Sequence, residues 1–196
     1  APRIRCSARF EGALVRRGYS AIAGLDEAGR GSLFGPVFAA AVVFAPELRI
    51  PGIRDSKQLA PGEREDLAGR ITSASAWAVA SVEAADIDRI NIYQASRLAM
   101  KRAVLRLTRR PDFLLVDALR VDLPLPQRAL IKGDARSLSI AAASILAKVW
   151  RDRLMREWDQ VEPQYGLARS KGYGTPEHLD ALARFGPGSL HRFTFA

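Results

Sequence analysis

Four acidic residues occur where buried strands are expected to end, and together they can hold metal ions. The acids are Asp26 and Glu27 at the end of the apolar segment YSAIAGLD, Asp117 at the end of FLLVD, and Asp134 in IKGDARS. Side chains at the ends of neighbouring strands can meet at one edge of a sheet. Carboxylate oxygens suit Mg²⁺ or Mn²⁺. Two such ions, about 3.5–4 Å apart, would support cleavage of a phosphodiester bond, and several carboxylates are needed to hold their charge.

Each acid taken alone also has an ordinary explanation. Pairs such as Asp26-Glu27 usually lie on solvated surfaces. Asp117 can cap the turn that follows its strand, and Gly133-Asp134 is typical turn chemistry. The argument for a catalytic cluster therefore rests on the four acids jointly.

The acidic pair is followed at once by Gly29-Arg30-Gly31. Glycines on both sides of an arginine allow the backbone to approach a ligand closely, while the arginine can grip a phosphate. The alternative is a tight turn that carries a surface arginine.

Two further positions can contact a nucleic acid. Lys57, in the polar loop IPGIRDSKQLAPGER, is either a phosphate contact or an ordinary surface lysine. Tyr173, between two glycines in KGYGT, is either an exposed platform for stacking on a base or sugar or a tyrosine buried in a turn. We expect His178 on the surface of a helix, and we regard His178 and His191 as too isolated for a zinc site.

Serines flank or enter the helix predicted near residue 137. Ser137 can be a helix N-cap. With Ser139 and Ser144 it can also form a seat for a phosphate, because a helix N-terminus attracts anions.

The bulk composition favours a basic, globular, nucleic-acid-binding protein. The 196 residues fit one domain, 48% of them are hydrophobic, and the net charge is +9. The one cysteine, Cys6, excludes an internal disulfide and a cysteine-based zinc site, and it favours a reducing cytoplasm. No apolar stretch is long enough to cross a membrane.

Hydrophobic periodicity predicts an α/β domain with a mixed sheet flanked by helices. Strands are expected at Tyr19–Asp26, Val37–Phe44, Trp77–Glu83, Phe113–Asp117 and Arg128–Ile131. Helices are expected near residues 10–17, 61–73, 91–108, 137–159 and 176–185. We interpret residues 1–196 as a single domain, with a small helical C-terminal part from about residue 160.

Several sequence blocks resemble the ribonuclease HII family in order and rough spacing. They are DEAGRG, GPVFAAAVV, DSK, VDAL, KGD, SIAAASILAKVWRD, KGYGTPEH and HRFTF, and they span about Phe10 to Phe195. The resemblance is to the bacterial, single-domain form. It implies a ribonuclease H-like fold, Mg²⁺ or Mn²⁺ as cofactor, and a monomeric state. It also implies hydrolysis of the RNA strand of RNA–DNA hybrids, and cleavage on the 5′ side of single ribonucleotides in duplex DNA, giving 5′-phosphomonoesters.

The resemblance also implies roles for individual residues. Asp26, Glu27 and Asp117 match the metal ligands of the family, and Asp134 matches its fourth catalytic acid. Gly29, Arg30 and Gly31 match the loop that senses the ribose 2′-hydroxyl, the group that distinguishes RNA from DNA. Tyr173 matches a tyrosine that stacks beside the junction sugar, and Lys57 matches a lysine near the scissile bond.

Two positions depart from the family pattern just after this loop. Ser32 stands where the family more often has proline, and Phe34 stands where a smaller residue is usual. These departures leave the rigidity and fine specificity of the loop open. Two other functions also remain: another nuclease or strand-transfer enzyme of the same fold class, and a non-catalytic nucleic-acid-binding protein. The four intact acids argue against the latter, because clustered carboxylates repel one another when no metal offsets their charge.

Overall fold

A computed structural model describes residues 6–45, 47–48 and 50–195, and within them it contains one mixed sheet of five strands. The strands are β1 Ile22–Ala28, β2 Val37–Val43, β3 Ala76–Val82, β4 Phe113–Asp117 and β5 Gln127–Leu130. Their order across the sheet is β3-β2-β1-β4-β5. The first three strands pair antiparallel, whereas β4 runs parallel to both β1 and β5. The predicted mixed α/β sheet is therefore confirmed.

Helices cover both faces of the sheet and extend beyond it. In the described residues they are α1 Arg9–Val15, α2 Pro61–Ala74, α3 Ala84–Ile90, α4 Ile92–Leu105, α5 Leu138–Val161, α6 Leu167–Ser170 and α7 Pro176–Phe185. The sequence analysis missed α3, which is short and separated from α4 by the single residue Asn91. Asn91 has a φ of 66°, and its side chain accepts a hydrogen bond from the Gln94 amide, so it ends one helix and caps the next.

The central contact of the fold joins β1 to α5 without any side chain between them. A Cβ atom on Gly24 would lie 2.1 Å from the carbonyl carbon of Ser139 and 2.4 Å from the amide nitrogen of Ile140. Only glycine permits this approach. The first turns of α5 therefore lie directly against the middle of β1.

The opposite face of the sheet is covered by α4. Its buried stripe includes Ala95, Ala99 and Ala103, small residues that let the helix lie close to β1 and β2. Two arginines from its polar face, Arg102 and Arg106, donate to the carbonyls of Ser81 and Val79 on the edge strand β3. These bonds occupy edge carbonyls that would otherwise be open to pairing with another chain.

The N-terminus of α5 is occupied by a carboxylate of the protein itself, that of Glu11. Ser137 caps the helix as predicted, and its hydroxyl accepts from the Ile140 amide at 3.3 Å. The Glu11 carboxylate accepts bonds from the Ser137 and Ser139 hydroxyls at 2.6 and 2.7 Å and from the Ser139 amide at 2.9 Å. The alternative of a phosphate seat at Ser137 and Ser139 is therefore wrong, because a carboxylate from α1 fills it.

The helical C-terminal part packs on the far end of α5. Phe34, Met155, Tyr165, Leu167 and Ala181 form its buried apolar cluster. The presence of this part was predicted, and Phe34 ties it to the loop after β1. The Phe34 side chain is fully buried, and its ring packs against Trp158 of α5 and against Tyr165.

His178 was expected on a helix surface, and this expectation is wrong. The side chain is 0% exposed, and its Nε2 lies 3.1 Å from Nε2 of His191. Because the Gly188 amide donates to Nδ1 of His191, the His191 proton sits on Nε2 and is donated to His178. His178 then donates from Nδ1 to the carbonyl of Tyr173 at 2.9 Å. The two imidazoles form a structural relay that holds the turn containing Tyr173.

Within the described residues, no helix is both long and apolar enough to cross a membrane.

We expect Gly24→Ala to lower the free energy of unfolding by at least about 3 kcal/mol, because the added methyl group would overlap the α5 backbone. Gly69→Ala is the matched control, since Gly69 lies on the exposed side of α2 with open space around it. That variant should gain about 0.5–1 kcal/mol. Urea unfolding of both variants measures the two values. Equal effects at the two positions would contradict the proposed contact.

Candidate active site

The paired acids lie inside β1, not after it, because β1 extends to Ala28. Its antiparallel pairing with β2 continues through Asp26, Glu27 and Ala28, whereas its parallel pairing with β4 stops at Leu25 opposite Val116. The next residues along the two parallel strands are Asp26 and Asp117. The acids therefore face the point where two parallel strands stop pairing, as sequence analysis expected for an edge of the sheet.

Asp117 connects this edge to the fourth acid. One of its carboxylate oxygens accepts a bond from the Gly133 amide at 2.6 Å. Gly133 begins the short 3₁₀ turn Gly133–Ala135, which contains the buried Asp134. Asp134 in turn lies 3.3 Å from the Nζ of Lys57, whose side chain is 80% exposed. The lysine is therefore anchored at the acid cluster with most of its side chain in solvent.

Eight of the nine predicted site residues line one cleft. It is bounded by Asp26, Glu27, Gly29, Arg30, Gly31, Lys57, Asp117 and Tyr173, together with Ala28, Ser56, Ser144 and Lys148. Asp134 is the exception, because it lies behind Lys57 and contributes its charge without lining the cleft.

The cleft carboxylates have raised pKa values because they are buried close together. Burial, followed by repulsion from Glu27 and Asp117, raises the pKa of Asp26 well above its ordinary value. Burial raises the pKa of Glu27 to about 7, with Arg30 opposing and Asp117 adding to the shift. Burial also raises the pKa of Asp117, although the bond from Gly133 lowers it. The cluster thus lacks sufficient positive charge within the protein itself.

The donor set suits a hard divalent cation. The second carboxylate oxygen of Glu27, Oε2, is buried and has no hydrogen-bond partner in the described part of the chain. Within those same residues, no three acidic, histidine or cysteine side chains are gathered closely enough to hold an ion by themselves. Mg²⁺ usually takes only one or two protein carboxylates and completes its shell with substrate phosphates and water. The pairs at this edge fit that arrangement.

The loop after β1 is shaped by its first glycine. Gly29 has a φ of +89°, and a Cβ atom there would lie 2.0 Å from the Nε atom of Arg151. Gly31 has open space around its Cα, so its lack of a side chain leaves room beside the cleft. Arg30 is 3.6 Å from the Glu27 carboxylate and has a partly exposed side chain that can still turn towards a ligand.

Ser32 gives this loop hydrogen bonds that proline would not provide. Its buried hydroxyl lies 2.8 Å from the carbonyl of Gly172 and accepts a bond of 2.6 Å from Arg151. The Leu33 amide also donates to Gly172. The departure at position 32 therefore links the loop to the turn that carries Tyr173.

Tyr173 is neither a fully exposed platform nor a fully buried residue. It is 38% exposed, and its ring borders the cleft. The guanidinium carbon of Arg151 lies 5.4 Å from the centre of the ring. One side of the ring is thus held by the protein while part of it faces solvent.

Sequence reasoning missed two cleft residues on α5. Ser144 was considered only for a phosphate seat, but its hydroxyl lies 2.9 Å from the hydroxyl of Ser56. Hydrogen bonding from Ser144 also lowers the pKa of Asp26, against the larger effect of burial. Lys148 lines the cleft and lies 2.6 Å from Asp152. The four-residue spacing of Ser144 and Lys148 puts both on one helix face, a signal that the sequence contained. It became meaningful only once α5 was known to lie against β1.

The mixed sheet, with its flanking helices and helical C-terminal part, is a ribonuclease H-like fold, and acids at the sheet edge beside basic residues are typical of nucleases. Residues 23–196 match the family described as Ribonuclease HII. The ribonuclease HII of Solibacter usitatus is 59% identical over 194 residues, which cover 98% of this chain and 85% of that protein.

Two solved structures are similar in fold. Ribonuclease H2 from Pyrococcus horikoshii has a TM-score of 0.76 and 28% identity, covering 89% of this chain and 93% of the other. The ribonuclease HII of Archaeoglobus fulgidus, solved in a complex with PCNA, has a TM-score of 0.76, 29% identity and the same coverage. The chain belongs to the ribonuclease HII family and is a hydrolytic ribonuclease.

The raised carboxylate pKa values predict that the metal-free protein is less stable at high pH. A carboxyl whose folded pKa is raised stabilises the fold below its unfolded pKa, and that contribution is lost as the pH rises through the folded pKa. For Glu27 this window runs from 4.5 to about 7.

We expect Glu27→Gln in chelator to be more stable than the unsubstituted protein at pH 8, by about 1–3 kcal/mol. At pH 4 the two proteins should unfold alike, because Glu27 is then protonated. Urea unfolding across this pH range measures the difference. Parallel profiles would show that Glu27 does not titrate in the cluster.

Proposed function

We propose that this protein is a metal-dependent endoribonuclease. It hydrolyses the RNA strand of RNA–DNA hybrids and cuts on the 5′ side of single ribonucleotides in duplex DNA, giving 5′-phosphomonoesters. The observation that carries the proposal is that eight predicted residues, from four separate segments of the chain, line one cleft. Family membership supports the reaction class.

The acids have separate tasks in this proposal. Asp26, Glu27 and Asp117 are the metal ligands, and Asp134 is a catalytic acid that acts from behind Lys57. Mg²⁺ or Mn²⁺, bound by these residues as two ions during the reaction, would supply the activation of water and the stabilisation of the departing oxygen. Because ligating carboxylates must be ionised, the raised pKa of Glu27 makes metal binding favour neutral and higher pH.

The basic and aromatic residues of the cleft hold the substrate. Burial alone would lower the pKa of Lys57, but the carboxylates of Asp134, Asp55 and Asp26 raise it, so the lysine is cationic and available to a phosphate. Gly29, Arg30 and Gly31 form the loop that tests for the ribose 2′-hydroxyl. Tyr173 stacks beside the junction sugar with the exposed part of its ring.

The substrates proposed are RNA–DNA hybrid and ribonucleotide-containing duplex DNA, for which the net charge of +9 is suited. We propose that residues 1–196 act as a single catalytic domain, in which the helical part from about residue 160 carries Tyr173 to the cleft. A monomeric state and a cytoplasmic location complete the proposal.

The main prediction concerns cleavage of a labelled DNA duplex that contains one ribonucleotide. With Mg²⁺ or Mn²⁺ the protein should cut this duplex and an RNA–DNA hybrid, while an all-DNA duplex should stay intact. Asp117→Asn should lower the rate by at least about a hundredfold, because the metal site loses a ligand. Duplex affinity should persist in the variant.

Denaturing gels measure the cleavage products, and fluorescence anisotropy measures the affinity. Cutting of the all-DNA duplex would instead assign the protein to another nuclease class. Binding of the ribonucleotide substrate without cleavage in either metal would assign it to the non-catalytic binders.

A second prediction separates recognition from metal chemistry. Tyr173→Ala removes a stacking face worth about 1–3 kcal/mol for a base, so we expect about a tenfold or greater loss of single-turnover rate at the ribonucleotide junction. Metal titrations should be unchanged because the acids remain. Tyr173→Phe keeps the ring and should recover most of the rate. If the Ala variant cleaves at the unsubstituted rate, Tyr173 has no role in recognition.

A further inference from the structure

Arg151 is a fully buried arginine whose contacts are unlike those of a helix-packing residue. Its side chain is 0% exposed, and it makes no ion pair with any carboxylate in the described part of the chain. Its Nε atom has no hydrogen-bond partner there either. Burial of an unpaired charge opposes folding. If packing were the only role of position 151, an apolar side chain such as that of Met155 would fill it without this cost.

The bonds that Arg151 does make reach two segments that are far apart in the sequence. Nη1 donates to the carbonyl of Lys171 at 2.7 Å. Nη2 donates to the hydroxyl of Ser32 at 2.6 Å and to the carbonyl of Phe34 at 3.1 Å. One planar guanidinium group thus joins the loop after β1 to the turn before Tyr173. The rigid fork of arginine suits this task, whereas the single charged nitrogen of lysine does not.

The same side chain also touches the two parts proposed to recognise the substrate. It lies so close under Gly29 that a Cβ atom there would be 2.0 Å from its Nε atom, and its guanidinium carbon is 5.4 Å from the Tyr173 ring centre. Arg151 therefore lies directly against both the glycine loop and the aromatic ring. Ser32 completes the link, because its hydroxyl lies between Arg151 and the carbonyl of Gly172.

We propose that Arg151 is a positioning residue that fixes the loop Gly29–Gly31 and the ring of Tyr173 in one relative geometry. Detection of the 2′-hydroxyl and stacking on the adjoining sugar then occur as one event. Ser32 strengthens this link, because its hydroxyl bonds to both Arg151 and the carbonyl of Gly172. The expected effect of Arg151 on the cleavage rate rests on the proposed function. The expected coupling of the two segments does not.

The kinetic test is a double-substitution cycle on the duplex that contains one ribonucleotide. Arg151→Lys should lower the single-turnover rate by about tenfold or more, since small misplacements of positioning groups have effects of this size. In a Tyr173→Ala background the same change should cost less than about twofold, because the ring that it positions is absent. Arg153→Lys is the matched control on the exposed side of α5, where Arg153 pairs with Glu65, and it should leave the rate unchanged.

Ser32→Ala provides a milder variant in case Arg151→Lys folds poorly. It removes one hydroxyl and leaves the other bonds of Arg151, so we expect about a threefold loss that also disappears in the Tyr173→Ala background. Duplex affinity should stay within about twofold in every variant, because phosphate contacts are retained. Equal losses in both backgrounds would overturn the proposal and leave Arg151 as a packing residue.

Hydrogen exchange of the free protein tests the same link without any reaction. Arg151→Lys should speed exchange of the amides of Ser32 and Leu33 and of Gly172 and Tyr173 together, by about tenfold, because both segments lose their shared anchor. Arg153→Lys should change neither. Faster exchange in only one segment would overturn the proposal. If the unsubstituted protein cuts no ribonucleotide-containing duplex, the proposed function fails, and exchange alone still decides whether Arg151 couples the two segments.

Discussion

The close contact between Gly24 of β1 and the first turns of α5 fixes the geometry of the site. Because no side chain separates them, the position of α5 relative to β1 has little freedom. One stripe of α5, spaced by three and four residues, then runs along the cleft. Ile140 packs in the core, Ser144 reaches Asp26, Lys148 lines the cleft and Arg151 lies under the loop after β1. One face of α5 thus contacts both the acids and the loop after β1.

Two neighbouring groups of buried charges oppose folding. The carboxylates of Asp26 and Glu27 are buried with too few cations, whereas Arg151 and Arg192 are buried with no carboxylate paired to them in the described residues. Burial, with repulsion from Arg151, lowers the pKa of Arg192 to about 9. Neither arrangement favours the folded state by itself. Bound divalent cations would relieve the repulsion between the carboxylates.

The two arginines hold the loop after β1 by its backbone. Arg192 donates to the carbonyls of Gly35 and Arg30, and Arg151 donates to that of Phe34. In the C-terminal part, His178 bonds to His191 and to the carbonyl of Tyr173. The C-terminal helical part is therefore more than an appendage, because its buried histidines and Arg192 position residues of the cleft.

The sequence by itself determined the fold class and eight of the residues that line the candidate cleft. Buried strands such as FLLVD are continuous apolar runs, α5 has a strong helical stripe, and glycine-flanked Arg30 and Tyr173 stand out by composition, so local rules suffice for them. Tertiary structure alone decided that β1 continues past its acids, because pairing with β2 extends it. It also decided that Glu11 fills the helix end at Ser137, that His178 is buried, and that Ser32 meets Arg151. These contacts join residues ten or more positions apart, and two of the four join residues more than a hundred apart. Periodicity carries no information about which distant groups meet.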